Sequence, residues 1–329
     1  LNYKVSIISF GIFSALAVKL ALFSTAMAFR WEHWGASILK TIALLFLVYE
    51  VIHECRKNLI LEKDKINDIV YERSYYSVVT AVLAGAIITF FMSNELNLGP
   101  VVASSVVGLV GAMASKKYEI PIYCGSFVGM SSVVMYGDYQ SLLFSAIISG
   151  IIFLIAGSVF SGFGGKLGVI AFGGTMAYSI ITGKAYVVEP FPTESINSLI
   201  ALYIIIGAVA AYIIHHRSRL SAVESSAVTG LIGGLLLPMV YGQSGELLAI
   251  VLFCGSFIGM SSRDRLNSLS HVILSGAMAA MFFIYTQNIF IGLGGKLGAI
   301  AFVSILSING AIKIYDSQKN KTGEKSMVA

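Results

Sequence analysis

Two lysines sit in matched glycine-rich surroundings, Gly162-Phe-Gly-Gly-Lys166-Leu-Gly168 and Gly292-Leu-Gly-Gly-Lys296-Leu-Gly298, 130 residues apart. Glycines at this density interrupt a helix and leave backbone N–H groups without intrahelical partners. A helix that restarts just after each lysine aims its first amides, and the positive end of its dipole, toward whatever lies in front. Lys166 and Lys296, with Gly164, Gly165, Gly294 and Gly295, are therefore candidates for binding a small anion or a polar carbonyl group. The competing reading is a tight turn whose lysine reaches back to lipid headgroups. The motif is not a nucleotide-binding P-loop, because its spacing differs and no α/β unit surrounds it.

Each lysine motif follows a second matched stretch at the same offset, Tyr123-Cys-Gly-Ser-Phe-Val-Gly-Met-Ser-Ser132 and Phe253-Cys-Gly-Ser-Phe-Ile-Gly-Met-Ser-Ser262. Gly125 with Gly129, and Gly255 with Gly259, are small-xxx-small pairs that let helix backbones approach closely. Ser126, Ser131, Ser256 and Ser261 could line a polar path or bond carbonyls of their own helix. Cys124, Met130, Cys254 and Met260 would suit a soft metal such as Cu(I) or Zn²⁺. No histidine or carboxylate accompanies them, and buried cysteine and methionine are ordinary packing residues, so neither a metal nor another cofactor is expected. Cys124 and Cys254 sit in apolar segments, which argues against a disulfide framework.

Among the remaining ionisable residues, Glu224 could couple an ion to transport or, as an interfacial residue, pair with Arg217 or Arg219. Lys19 falls inside the first apolar stretch, and His215, His216 and His271 are isolated polar residues with ordinary structural readings. Trp31 and Trp34 read as an interfacial aromatic anchor. No nucleophile elbow, zinc-binding His-Glu-x-x-His helix or intramembrane aspartate dyad is present, which disfavours an enzyme.

The elements that position these residues follow from composition. The chain is 57% hydrophobic and 12% charged, with a mean hydropathy of +0.83. Soluble domains carry about a quarter charged residues, so this is an all-α polytopic membrane protein. The net charge of +5 is spread over short segments, with no patch dense enough for nucleic acid. Hydropathy places spans near 5–28, 37–54, 76–93, 100–115, 119–136, 141–160, 165–182, 195–214, 222–241, 246–262, 268–286 and 292–313. The first of these reads as a retained helix, not a cleaved signal peptide.

With the N-terminus in the cytoplasm, seventeen basic residues fall in inside loops and four in outside loops, namely Arg30, Lys40, Lys184 and Lys296. That asymmetry supports twelve spans with both termini cytoplasmic, in a bacterial cytoplasmic membrane. Lys296 is then a lysine on the side where topology gives no reason for one. The spans after the first two form repeats at 75–183 and 195–314, each of five helices. Five is odd, so the repeats are inverted, with helix breaks at the two GGKLG motifs. The segments 1–54, 55–74, 184–194 and 315–329 become two N-terminal helices, a cytoplasmic charged segment, an external loop with Pro190 and Pro192, and a frayed cytoplasmic tail.

This plan resembles the general architecture of urea-transporter-like and other inverted-repeat carriers, without their signature motifs, so no residue roles are carried over. The expected function is a carrier or channel for a small polar, anionic solute, bound near the midplane between the repeats. The alternatives are a membrane-embedded assembly subunit without transport, docking through 55–73 as a homo-oligomer or on another membrane protein, and a protein handling lipid phosphates.

Overall fold

The structure, a computed structural model, describes residues 3–64, 75–157, 159–183 and 197–328. They form twelve α-helices: α1 (Tyr3–Arg30), α2 (Trp34–Asp64), α3 (Tyr75–Asn94), α4 (Pro100–Ala114), α5 (Glu119–Gly129), α6 (Tyr139–Ile155), α7 (Lys166–Thr182), α8 (Asn197–Arg217), α9 (Ala222–Tyr241), α10 (Gln243–Gly259), α11 (Leu269–Thr286) and α12 (Lys296–Val328). Much of the charged segment at 55–74, and Lys184, Pro190 and Pro192, lie outside the described residues.

Seven helices, α1, α2, α3, α8, α9, α11 and α12, are long and apolar enough to cross a membrane. Hydropathy counted twelve full spans, but α4, α6, α7 and α10 run 15 to 17 residues and α5 only 11. At 1.5 Å per residue α5 rises about 16 Å, roughly half of a hydrocarbon core. The expected span 119–136 stops at Gly129 because the next amides are claimed elsewhere. Ser131 N–H closes a short turn on the Val128 carbonyl (3.1 Å), and Ser132 N–H leaves the helix altogether to reach the Gly292 carbonyl (3.0 Å). The tail expected to fray from Tyr315 instead continues α12 to Val328.

Local signals set the other boundaries. Pro100 opens α4 at a position where its missing N–H costs nothing. Asp138 and Ser268 cap α6 and α11 by accepting from Ser141 N–H (2.7 Å) and His271 N–H (3.4 Å). Ser221 and Glu224 form a reciprocal capping box on α9, with Glu224 accepting from Ser221 N–H at 2.7 Å.

The two matched stretches pack alike. α3 lies on α4, α5 and α6, while α8 lies on α9, α10 and α11; α7 lies on α5 and α6, and α12 on α10 and α11. The halves meet where α4 crosses α9 and α7 crosses α12. Within each half the helices touch backbone to backbone: a Cβ on Gly125 would run into the Val82 carbonyl of α3, and one on Gly255 into the Ile204 carbonyl of α8. α1 packs on α2, α6, α7, α11 and α12, so the N-terminal pair is anchored on both halves.

Lys40, tallied above as a residue of an outside loop, lies within α2 and is fully buried. It donates to the Ser24 carbonyl (2.8 Å) and stands 3.3 Å from the centre of the Tyr285 ring. The turn joining α1 to α2 takes only three residues, Trp31 to His33, so α2 begins earlier than hydropathy suggests.

Gly125→Val and Gly255→Val should each destabilise the fold by about 1–3 kcal/mol through overpacking against backbone. Thermal unfolding of the purified protein should show lowered midpoints for both; wild-type midpoints would contradict the backbone contacts described.

Candidate functional site

The site is built from two chain breaks with the same backbone path. After α6 the chain turns through Phe160 (φ 53°), Gly162 (φ 80°) and Gly165 (φ 76°); after α11 it repeats the path through Phe290 (φ 59°), Gly292 (φ 81°) and Gly295 (φ 84°). Positive φ is uncommon for phenylalanine. Burial compensates: the Phe160 ring contacts Phe10, Phe13, Phe163 and Phe302, and the Phe290 ring contacts Phe23 and Phe172.

Each break docks on the other half of the chain. Gly164 N–H donates to Ser261 Oγ (3.1 Å), and Ser262 N–H donates to the Gly162 carbonyl (2.9 Å). Reciprocally, Gly294 N–H donates to Ser131 Oγ (2.9 Å), and Ser132 N–H donates to the Gly292 carbonyl (3.0 Å). α7 and α12 then start side by side. A Cβ on Gly168 would overlap the Gly298 backbone and lie 2.9 Å from the Gly295 carbonyl oxygen, so only glycines allow this crossing.

The lysines follow the breaks. Lys166 Nζ donates to the Gly157 carbonyl (3.0 Å), just beyond the end of α6. Lys296 Nζ donates to the Gln287 carbonyl (3.2 Å), at the end of α11, and to the Ile289 carbonyl (2.6 Å). Both thus bind carbonyls where helix dipoles end negative. Among the described residues neither forms an ion pair. An ammonium carries three N–H donors, so among the described residues Lys166 retains two and Lys296 one.

Two cavities open beside these lysines. One, of about 260 Å³, is lined by Pro100, Met130, Leu247, Gln287, Gly294, Gly295 and Lys296 among others; the second, of about 340 Å³, by Ile120, Gly157, Gly164, Gly165, Lys166 and Met260 among others. They lie toward opposite ends of α4: Pro100 is its first residue, whereas Ile120 follows its last turn. Phe127 and Phe257 line both cavities, with ring centres 4.8 Å apart. The walls are otherwise mainly apolar, so the lysines and the glycine backbone carry most of the polarity.

Of the residues singled out in the sequence, the lysines and Gly164, Gly165, Gly294 and Gly295 therefore border cavities, as do Met130 and Met260. The four serines turn inward. Ser131 and Ser261 hold the glycine amides, Ser126 bonds Ser104 (2.8 Å), and Ser256 bonds Ser226 (2.8 Å). Cys124 and Cys254 are buried, with thiols directed at the Leu167 (3.5 Å) and Leu297 (3.3 Å) carbonyls. Among the described residues no three histidine, cysteine or acidic side chains cluster as metal ligands.

Glu224 pairs with neither Arg217 nor Arg219 but with Lys116, at 2.6 Å. The α4–α5 connection brings Lys116 to the start of α9, where Ser221 Oγ also donates to Glu119 (3.1 Å). The hydrogen bond that Lys116 donates to Glu224 holds its exposed ammonium above the ordinary lysine pKa. Phe127 and Phe257 were not singled out by sequence reasoning; their only signal was their recurrence at the repeat offset.

Protein-family models, curated proteins and solved structures were compared with the chain, and none of them matches it.

Ser131→Ala and Ser261→Ala should each leave a buried glycine N–H without its acceptor, at a cost of about 1–3 kcal/mol. The thermal midpoint should fall in both variants, and by similar amounts because the two contacts are equivalent. A loss confined to one variant would break that equivalence.

Proposed function

We propose that the chain is a membrane transport protein, carrier or channel, for a small polar solute of anionic character. The observation that carries this reading is the pair of cavities at opposite ends of α4, each ending at a GGKLG break and divided by Phe127 and Phe257. Each cavity offers a solute the same set of groups: a lysine without a carboxylate partner, spare ammonium hydrogens, and a helix starting at the motif. A cation held only by carbonyl dipoles in an apolar wall favours an anion.

On this reading the two five-helix stretches are inverted repeats. Supporting it, the end of α4 lies by the start of α9 through Lys116 and Glu224, so these equivalent helices run in opposite senses. Late α7 meets early α6 through Tyr178 and Ser141 (2.8 Å), as expected if each GGKLG segment re-enters from one face and α7 returns to the other. The short helices α5 and α7 then complete their crossings with non-helical backbone buried in protein, as in transporters with broken helices. Twelve passes, both termini on the cytoplasmic side and a bacterial cytoplasmic membrane belong to the same proposal.

The test is flux in proteoliposomes. Lys296→Gln keeps hydrogen-bond donors but removes the charge, and should lower uptake of a transported anion at least about tenfold, corresponding to ~1.4 kcal/mol. The variant should remain folded in the membrane. Undiminished flux in both Lys296→Gln and Lys166→Gln would falsify the anion site. Phe127→Ala combined with Phe257→Ala should join the cavities and raise passive leak; saturable exchange in the parent protein would mark a carrier, and sustained current a channel.

A further inference from the structure

The two breaks are matched in backbone, yet the side chains packed against them differ in chemistry. Met135 and Arg265 occupy equivalent positions, each following its Ser-Ser pair with the same turn: Met135 N–H to the Ser132 carbonyl and Arg265 N–H to the Ser262 carbonyl, both 3.0 Å. Each packs over the first glycine of the opposite break. A Cβ on Gly292 would lie 3.0 Å from Met135 Cγ, and one on Gly162 would lie 3.4 Å from Arg265 Cγ. Beyond that point the two side chains differ.

Met135 stays in the apolar core. Arg265 donates from Nε to the Ser161 carbonyl (3.1 Å) and lays its guanidinium over the Phe163 ring, Cζ 4.2 Å from the ring centre. Ser161, Gly162 and Phe163 all line the larger cavity. The other edge of the guanidinium makes a two-pronged ion pair with buried Glu54 of α2, Nη1 to Oε1 at 2.6 Å and Nη2 to Oε2 at 3.0 Å. α2 belongs to neither matched stretch. Lys313 of α12 completes the cluster, at 2.7 Å from Glu50 and 3.4 Å from Glu54.

We propose that Arg265 is the positioning residue of the Gly162–Lys166 break and that Glu54 of α2 holds it in place, so that this break is latched by charge. The planar fork fixes the orientation of Arg265, and its fixed Nε in turn fixes the Ser161 carbonyl at the cavity wall. Through Glu54, α2 then bears on the Gly162–Lys166 break from outside both matched stretches.

Hydrogen exchange on the full chain in lipid nanodiscs tests the latch directly. Arg265→Met installs the residue found at the matched position, and Glu54→Gln keeps the shape of the acid while removing its charge. Both should speed amide exchange across 159–165 by about fivefold or more, leaving 289–295 unchanged. No acceleration at 159–165 in either variant, or equal acceleration at both breaks, overturns the latch. The consequence for solute flux rests on the transport reading above, and the two are separable: a parent protein that carries no solute defeats that reading, while the exchange data still decide the latch.

Discussion

A backbone N–H that leaves a helix inside an apolar environment must find an acceptor, and most of the described architecture follows from how four such amides find theirs. Gly164 and Gly294 cannot bond within their own segments, because the chain there turns through left-handed backbone. Their acceptors, Ser261 and Ser131, come from the opposite half, and the carbonyls of Gly162 and Gly292 return the favour to Ser262 and Ser132. Buried polar groups of this kind are costly when unmade. Neither glycine break is therefore satisfied without the other half of the chain, and the halves form one interlocked unit instead of two stacked bundles.

The lysines are best understood within the same constraint. Each spends part of its hydrogen-bonding capacity on carbonyls at the end of the preceding helix, which fixes the entry to the break. Carbonyl dipoles compensate the charge without neutralising it, as a carboxylate would. A structural staple and a charged group at a cavity wall are thus compatible roles for a single side chain, and the geometry asks for both. This explains why a lysine, which could reach headgroups, is instead folded back upon backbone.

The N-terminal pair introduces what the matched stretches lack. Lys40 in α2 rests on the Ser24 carbonyl and the face of Tyr285, whose hydroxyl in turn meets His33 Nδ1 at 2.8 Å. One turn of hydroxyl, ring and cation therefore joins α1, α2 and α11. Farther along α2, Glu50 and Glu54 face Lys313 and Arg265. Buried ion pairs add little net stability, since desolvation offsets attraction, but breaking one partner leaves an expensive charge behind. They specify where α2 sits more than they strengthen the fold.

From its residues alone the chain could be read as helical and suited to a membrane, with internal duplication, and the positions of its two glycine breaks were apparent. Those features are local or periodic: apolar runs, glycine density and a constant offset of 130 residues survive without any knowledge of contacts. Lys166 and Lys296 were legible as candidate binding residues for the same reason, since their setting is carried by immediate neighbours. Tertiary structure decided the rest. Hydropathy cannot see that Ser132 N–H leaves its helix for Gly292, so it drew α5 too long, nor that the chain turns within three residues before α2, so it began that helix late. The serines of the paired motif looked equally able to face a path or a backbone, and only the approach of the opposite half turned Ser131 and Ser261 toward glycine amides. Phe127 and Phe257 gained their place between the cavities in the same way, because an aromatic in an apolar run has no sequence mark that separates packing from partition until the two helices carrying it are brought face to face.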